Sequence, residues 1–375
     1  MKIGIVGAGI AGLALANLLD HAKYEIQLID SAESLEPIGA GFTLQPNGLE
    51  VLRRIFQDDN PFREAALVST STIYDSQGEQ LPIDIMGELS ATNKSYSIHR
   101  GDIHSALLRN LDRKIGLYTS RRVERLDDGS TVGNMRVQYE NGQIEKFDLI
   151  VGADGIKSVV RRFVEPSGSL TYGNGIAVRT IVPRTENDQK YQNFQAWMGR
   201  GKVVLAYPVK SGTKLNLAFY LTGGNTASSS WSQPVDLKWL AKEFHGWDTR
   251  LQDLIARSTD AFSWKLADLK PLSTWHREGS VLIGDAAHAM LPYLGQGANQ
   301  SLVDAIELSK ALNQANDHVS AINSLKSYET GRKLSAEKMQ QFSRCAGDLF
   351  KQEFDGDRDL KVARVNQLLT ELRSN

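Results

Sequence analysis

The sequence predicts an α/β fold: a Rossmann-like domain of βαβ units, an antiparallel-sheet domain inserted into it, and a helical C-terminal region. Three observations predict it. Residues 3–6 form an uncharged run that leads into GAGIAG, a helical stretch and a second apolar run over residues 24–29, the order of a βαβ unit. From about residue 172 to 275 the character changes to GIAVRTIVP, FQAWMGRGKVVLAYPV and KLNLAFYLTG, which read as antiparallel strands. Two more apolar runs, DLIV and SVLI, each end in a glycine-aspartate turn, the style of buried parallel strands.

Composition narrows the classes. At 375 residues the chain exceeds the size at which one core keeps growing, so a large domain with a smaller second one is expected. Formal net charge is -1, from 43 basic and 44 acidic residues with no long run of either sign, which argues against nucleic acid or an anionic membrane as partner. Cys345 is the one cysteine, so an internal disulfide, a redox cysteine pair and a multi-thiolate metal site are excluded, and a reducing cytoplasm is the expected location. Residues 3–19 carry no charge, but they fall short of the roughly 20 apolar residues of a span and contain four glycines, so no membrane helix is expected.

In chain order, residues 13–20 form the body of the first helix, and Asp30 ends the second strand. A glycine-rich loop spans 38–48, after which Leu49, Leu52 and Phe56 recur at helical spacing. Residues 69–98 alternate apolar and polar, as strands of a half-exposed sheet do. Residues 99–111 are helical, and Asn141-Gly142 marks a hairpin. A helix is expected over 237–256, and residues 301–312 begin the helical C-terminal region.

Three glycine motifs carry the chemistry. In GAGIAG, residues Gly7, Gly9, Ile10, Ala11 and Gly12 lie between strand and helix, where backbone amides and the helix dipole receive a pyrophosphate. Asp30 stands 18 residues after Gly12, placed to accept the hydroxyls of an adenosine ribose and to disfavour a 2'-phosphate. The second motif, GADGIKSVVRR, contributes Asp154 and Gly155 and has no use in a simple NAD dehydrogenase. The third, GDAAHAMLPYLGQGANQ, sets Asp285 at a strand's carboxyl end, where a ribityl chain satisfies an acid, and lets Gly295 and Gly297 approach a flat ring past a stiffening Pro292. A helix beginning near Ala298 aims its positive end at that ring, where a reduced flavin carries its charge. His288 reads as a structural histidine that bonds the loop, with a catalytic base as the alternative. No third ligand accompanies Asp285 and His288, so no metal site is expected.

These motifs, in this order, resemble the group A FAD-dependent aromatic hydroxylases, the fold of p-hydroxybenzoate hydroxylase, up to about Gly331. GAGFTLQPNG and HRGDIHSALL add to the resemblance and imply that Gly41, Arg100 and Asn299 also attend the cofactor. Asp30 departs from a frequent glutamate, and Val303 from the first residue of a frequent Glu-Asp-Ala. The wording HAMLPYLGQGAN is nearest to salicylate-type and quinolone-type members, and LVDA is shared with tetracycline-inactivating ones. The domains implied are an FAD-binding domain over 1–70, 99–170 and 276–331, a substrate domain over 71–98 and 171–275, and a C-terminal helical region over 332–375.

The resemblance implies non-covalent FAD, transient NADH or NADPH, and oxygen transfer to an aromatic or heteroaromatic ring through a flavin C4a-hydroperoxide. No second GxGxxG opens a later βαβ unit, so the nicotinamide is expected to reach the flavin from a surface groove, with Arg161 a contact. Substrate is expected beneath the antiparallel sheet, with walls drawn from Val178, Phe194, Trp197, Leu205, Tyr207, Phe219 and Pro292, most of which taken singly read as core, and with Arg179 or Lys202 either anchoring an anion or standing as solvated surface charges. The rivals are a flavin oxidase or halogenase, a tetracycline-modifying monooxygenase, and a non-catalytic flavin-binding sensor. Both monomer and homodimer are compatible with the sequence.

Overall fold

Runs such as KIGIV, EIQLI and LIVG, too apolar for an exposed face, lie side by side in a sheet buried on both sides. The structure, a computed structural model of the chain, describes residues 1–35, 40–56, 62–85, 94–129, 134–223 and 233–374. Positions 38 and 39 of the glycine-rich loop and 86–93 of the alternating stretch lie outside them.

The buried sheet has the order β19 (His276–Arg277), β20 (Ser280–Leu282), β12 (Leu149–Gly152), β1 (Lys2–Val6), β2 (Glu25–Ile29) and β8 (Gly116–Tyr118). All its pairings are parallel except that of β19 with β20. A three-stranded meander, β11 (Ile144–Phe147), β10 (Met135–Tyr139) and β9 (Val123–Asp128), turns at the expected hairpin, where Gly142 has φ +81°. The inserted sheet has eight strands in the order β17 (Gln233–Pro234), β18 (Phe262–Leu269), β13 (Leu170–Pro183), β16 (Lys214–Thr222), β15 (Lys202–Val209), β14 (Phe194–Gly199), β5 (Ser71–Asp75) and β6 (Gln80–Leu81). Between the large sheets sits a small one, β3 (Gly41–Leu44), β7 (Ser95–His99) and β4 (Ala66–Val68). Of the residues expected in the substrate domain, 96–98 pair with the glycine-rich loop strand β3, and Ser95 pairs with Val68 of β4.

The helices are α1 (Ile10–Leu18), α2 (Pro46–Ile55), α3 (Arg100–Arg109), α4 (Val159–Val164), α5 (Leu237–Glu243), α6 (Thr249–Ala256), α7 (Asp285–His288), α8 (Gly297–Gln314), α9 (His318–Lys351) and α10 (Arg358–Arg373). The single helix expected over 237–256 is two, because Asp248 caps a fresh start by accepting from the Arg250 amide. The boundary expected at 331 falls inside α9, a continuous 34-residue helix. None of the helices among the described residues is long and apolar enough to cross a membrane.

A buried carboxylate joins α7, α8 and α9. Asp304 accepts from the Gly284 amide (2.8 Å), His288 Nε2 (2.5 Å) and Arg332 Nε (2.8 Å), and Arg332 also donates to Gln300 (2.8 Å). Burial opposes its charge, but His288 and Arg332 more than offset that and hold the carboxyl below the usual range. A depressed folded pKa contributes stability above the unfolded value near 4 and loses it as pH falls through the folded value. Asp304→Ala strands a buried arginine, so it is expected to lower stability by about 3–5 kcal/mol in denaturant titrations at pH 7. The acid loss below about pH 4 should be shallower in Asp304→Asn than in wild type.

Candidate active site

A cavity of about 660 Å³ opens where the carboxyl ends of β1, β12 and β20 meet the small sheet and one face of the eight-stranded sheet. That edge is where open α/β sheets hold ligands. The first turn follows β1. Gly7 has φ +105°, and a Cβ on Gly12 would lie 2.0 Å from the Gly7 carbonyl oxygen, so helix and turn touch backbone to backbone. Gly9 differs: a Cβ there would meet nothing within 4 Å, and with Ile10 and Ala11 it lines the cavity. No side chain caps α1 at Gly9, so its first amides are left for a ligand. Asp30 stands beside this turn, accepting from the amides of Ala8 (2.7 Å) and Ala32 (2.8 Å). His104 on α3, unforeseen from sequence, reaches the Ala8 carbonyl at 2.8 Å.

The second turn follows β12, and Ala153 and Gly155 line the cavity. Asp154 does not. Its carboxylate accepts from Ser158 Oγ (2.5 Å) and the Val159 amide (2.6 Å), so it fixes the start of α4 and acts on the site through the turn. Arg161 is buried rather than in a surface groove, donating to the carbonyls of Ala286 (3.1 Å) and Ile156 (2.5 Å). It ties the second turn to the third.

The third turn follows β20. Asp285 is exposed to the cavity, and among the described residues its carboxylate accepts no hydrogen bond. Pro292, Gly295, Gly297 and Ala298 line the cavity with it. The Gln296 side chain does not cap α8 and no acid stands in the helix's own first turn, so its first amides face the cavity, with the Asp285 carboxylate near Gly297. Asn299 is fully buried and braces the wall, accepting from the Gln45 amide (2.9 Å) and donating to the carbonyls of Thr43 (3.0 Å) and Gly295 (2.9 Å). Gly41 donates its amide to Asn216 (2.8 Å), and Arg100 lines the cavity exposed, with no ion-pair partner among the described residues. His288 lies behind the wall on Asp304 and beside the Trp275 ring at 5.3 Å, and it does not line the cavity. The residues fit FAD. Open space over Gly9, two uncapped helix starts on one cavity and an unengaged carboxylate between them suit a pyrophosphate, a flat ring and a hydroxylated chain.

The far wall is the eight-stranded sheet, and its pairing register decides what faces in. Ala196, Leu205, Ala218 and Arg179 lie opposite one another across β14, β15, β16 and β13, on the cavity side. One step along, Trp197, Val204, Phe219 and Val178 form a row on the other side, buried under α5 and α6. Trp197 donates its indole N–H to Asp248 there (2.7 Å). Trp197, Phe219 and Val178 are therefore core and do not wall the cavity, whereas Phe194, Leu205 and Tyr207 line it. Lys202 also faces the other side, paired with Glu243 at 2.9 Å.

Arg179 is the cation of this wall. It donates to Tyr220 Oη (2.8 Å) and Tyr207 Oη (3.4 Å), its Nε has no partner, and among the described residues no carboxylate pairs with it. Burial works against its charge, but the two phenol oxygens more than offset this and hold it protonated. Burial pushes the Tyr207 phenol up to about 12, so it stays neutral and donates to the Gly41 carbonyl at 2.7 Å. Tyr220 and Trp264 belong to this wall as well, and sequence reasoning passed over both. Tyr220 stands one residue from Phe219, on the opposite face of β16.

Relatives with known names match most of the chain. The 6-hydroxynicotinate 3-monooxygenase of Bordetella bronchiseptica is 28% identical over 91% of this chain and 90% of its own length. The 2-heptyl-3-hydroxy-4(1H)-quinolone synthase of Pseudomonas aeruginosa is 32% identical over 83% of this chain and 80% of its own. A salicylate hydroxylase solved as a substrate complex superposes with a TM-score of 0.83 at 22% identity, covering 100% of this chain and 95% of that one. The family model for the FAD binding domain matches residues 1–343, which hold all three glycine turns and the cavity-facing strands. The chain belongs to that FAD-binding family and is an FAD-dependent monooxygenase of the aromatic-hydroxylase kind.

Proposed function

We propose that this enzyme uses NADH or NADPH and O2 to hydroxylate an aromatic or heteroaromatic small molecule bearing an acidic or phenolic oxygen. The observation that carries the reading is Arg179, a cation with no carboxylate partner among the described residues, on the sheet wall of a cavity whose opposite wall suits FAD. When bound, FAD supplies the reduction of O2 and the transfer of oxygen. The chain's own residues do the rest. Gly9 and the start of α1 take the pyrophosphate, Asp30 the adenosine ribose, and Asp285 the ribityl hydroxyls. The α8 amides at Gly297 and Ala298 favour negative charge on the ring edge beside them. Arg179 orients the substrate's oxygen, with Tyr207 and Tyr220 holding the guanidinium in place, while Phe194 and Leu205 keep water from the ring. Names of relatives such as 6-hydroxynicotinate 3-monooxygenase support an anionic or hydroxylated ring as substrate.

NAD(P)H consumption by the purified protein, with a panel of phenols, hydroxyquinolones and aromatic acids and with peroxide release scored in parallel, tests the reading. A product heavier by one oxygen supports it, and a bound flavin that neither nicotinamide reduces would favour the sensor. Gly9→Val puts a side chain into the pyrophosphate's space and is expected to leave the protein colourless after dialysis. Asp285→Ala should lose most of its FAD under the same treatment. Arg179→Gln should keep its FAD but raise the KM for an acidic substrate by about ten- to a hundredfold, the range of a charge-assisted hydrogen bond. An unchanged KM would remove Arg179 from the substrate site.

A further inference from the structure

The role of the C-terminal segment was open from sequence, and the structure places it in the cavity wall. Phe350, Leu369, Leu372 and Arg373 line the cavity but lie beyond residue 343, where the family match ends. Three of the four are on α10. This helix presents Val365, Leu368 and Leu369 at helical spacing to the same apolar cluster that contains Phe194 and Leu205. It is fastened along the β6 edge of the sheet: Arg358 donates to Glu79 (2.6 Å), Asn366 to the Pro82 carbonyl (3.1 Å) and Arg373 to the Asp84 carbonyl (2.6 Å).

The cavity therefore has unlike ends. Arg179 and Trp264 lie on β13 and β18, whereas Ile85, just after β6, lies at the opposite end with Leu369, Leu372 and Arg373, whose guanidinium is engaged by the Asp84 carbonyl. Between β13 and β14 stand β16 and β15, and Ile85 is farther still. At about 4.8 Å per strand, the two ends are at least roughly 14 Å apart. One aromatic ring held at Arg179 does not bridge that distance, and it would not reach Ile85, Leu369 and Leu372.

We propose that the substrate carries an apolar extension, an alkyl chain or a second hydrophobic ring, directed away from its acidic oxygen, and that Leu369 and Leu372 of α10 select it. The inference rests on the hydroxylase reading for the ring and its oxygen. The extension is argued from the distance between the ends and the residues found there. Family chemistry would then reside in the shared portion of the chain, and selectivity in the part outside it.

Isothermal titration calorimetry of the FAD-loaded protein, without nicotinamide, tests this. The probes are salicylate and its 4-alkyl and 5-alkyl derivatives from methyl to heptyl. Affinity in at least one series is expected to rise roughly fourfold per methylene while the chain fills the apolar end. In Leu372→Trp, which fills that end, and Leu372→Glu, which charges it, the heptyl-to-unsubstituted affinity ratio should fall at least tenfold. Leu372 is half-buried, so these variants are better tolerated than changes at Leu369, and the wild-type series is decisive if a variant fails to fold. Affinity independent of chain length in wild type, including no binding by any member, overturns the proposal, as does a ratio untouched by both variants. Failure of the hydroxylase reading looks different: no FAD retained, or no reduction by either nicotinamide.

Discussion

Two helices, α1 and α8, begin at one cavity with no side chain capping either, and the rest of the architecture keeps those two starts open. Each leaves several backbone amides without an intrahelical partner, and a protein does not leave such groups on a shared cavity without something to satisfy them. A long ligand that is anionic at one end and electron-rich at the other meets both demands. The parallel sheet sets the turns on a common edge. Asp304, beneath the third turn, fixes α7 and α8 against α9 through His288 and Arg332. Asp285 stands near the start of α8 as an acid that accepts no hydrogen bond among the described residues, which suits a chain of hydroxyls.

The sheet opposite serves two masters. Its cavity face carries Arg179, bonded to both Tyr207 and Tyr220, and its other face carries an apolar core with α5 and α6. A guanidinium held by two phenols, with no carboxylate beside it among the described residues, keeps its charge available. Local order on one wall and cofactor chemistry on the other divide the labour of a flavin-dependent reaction between two sheets and a helical cover.

The parallel sheet and its turns were legible because their signals are local. A βαβ unit needs glycine where backbones touch and an acid at the next strand's end, and GAGIAG with Asp30 states both within 30 residues. What escaped was set by tertiary packing. β14, β15 and β16 are buried almost throughout, so hydrophobicity does not alternate along them and the sequence does not tell which of Trp197 and Ala196, or of Phe219 and Tyr220, faces the cavity. Asp154 was read as touching the cofactor because sequence shows a carboxylate in a turn and not the direction in which it bonds. The long-range partners, Asp304 with Arg332 and α10 with the β6 edge, join segments that no periodicity links.

The account turns on the start of α8 supplying positive potential to a bound flavin ring, and the midpoint potential of that flavin reports it directly. Ala298→Asp adds a negative charge at the helix start. If the account is right, spectroelectrochemical titration finds the potential of this variant below that of wild type by roughly 20–40 mV, the equivalent of about 1–2 kcal/mol for a two-electron couple. An unchanged potential at full FAD occupancy would contradict it.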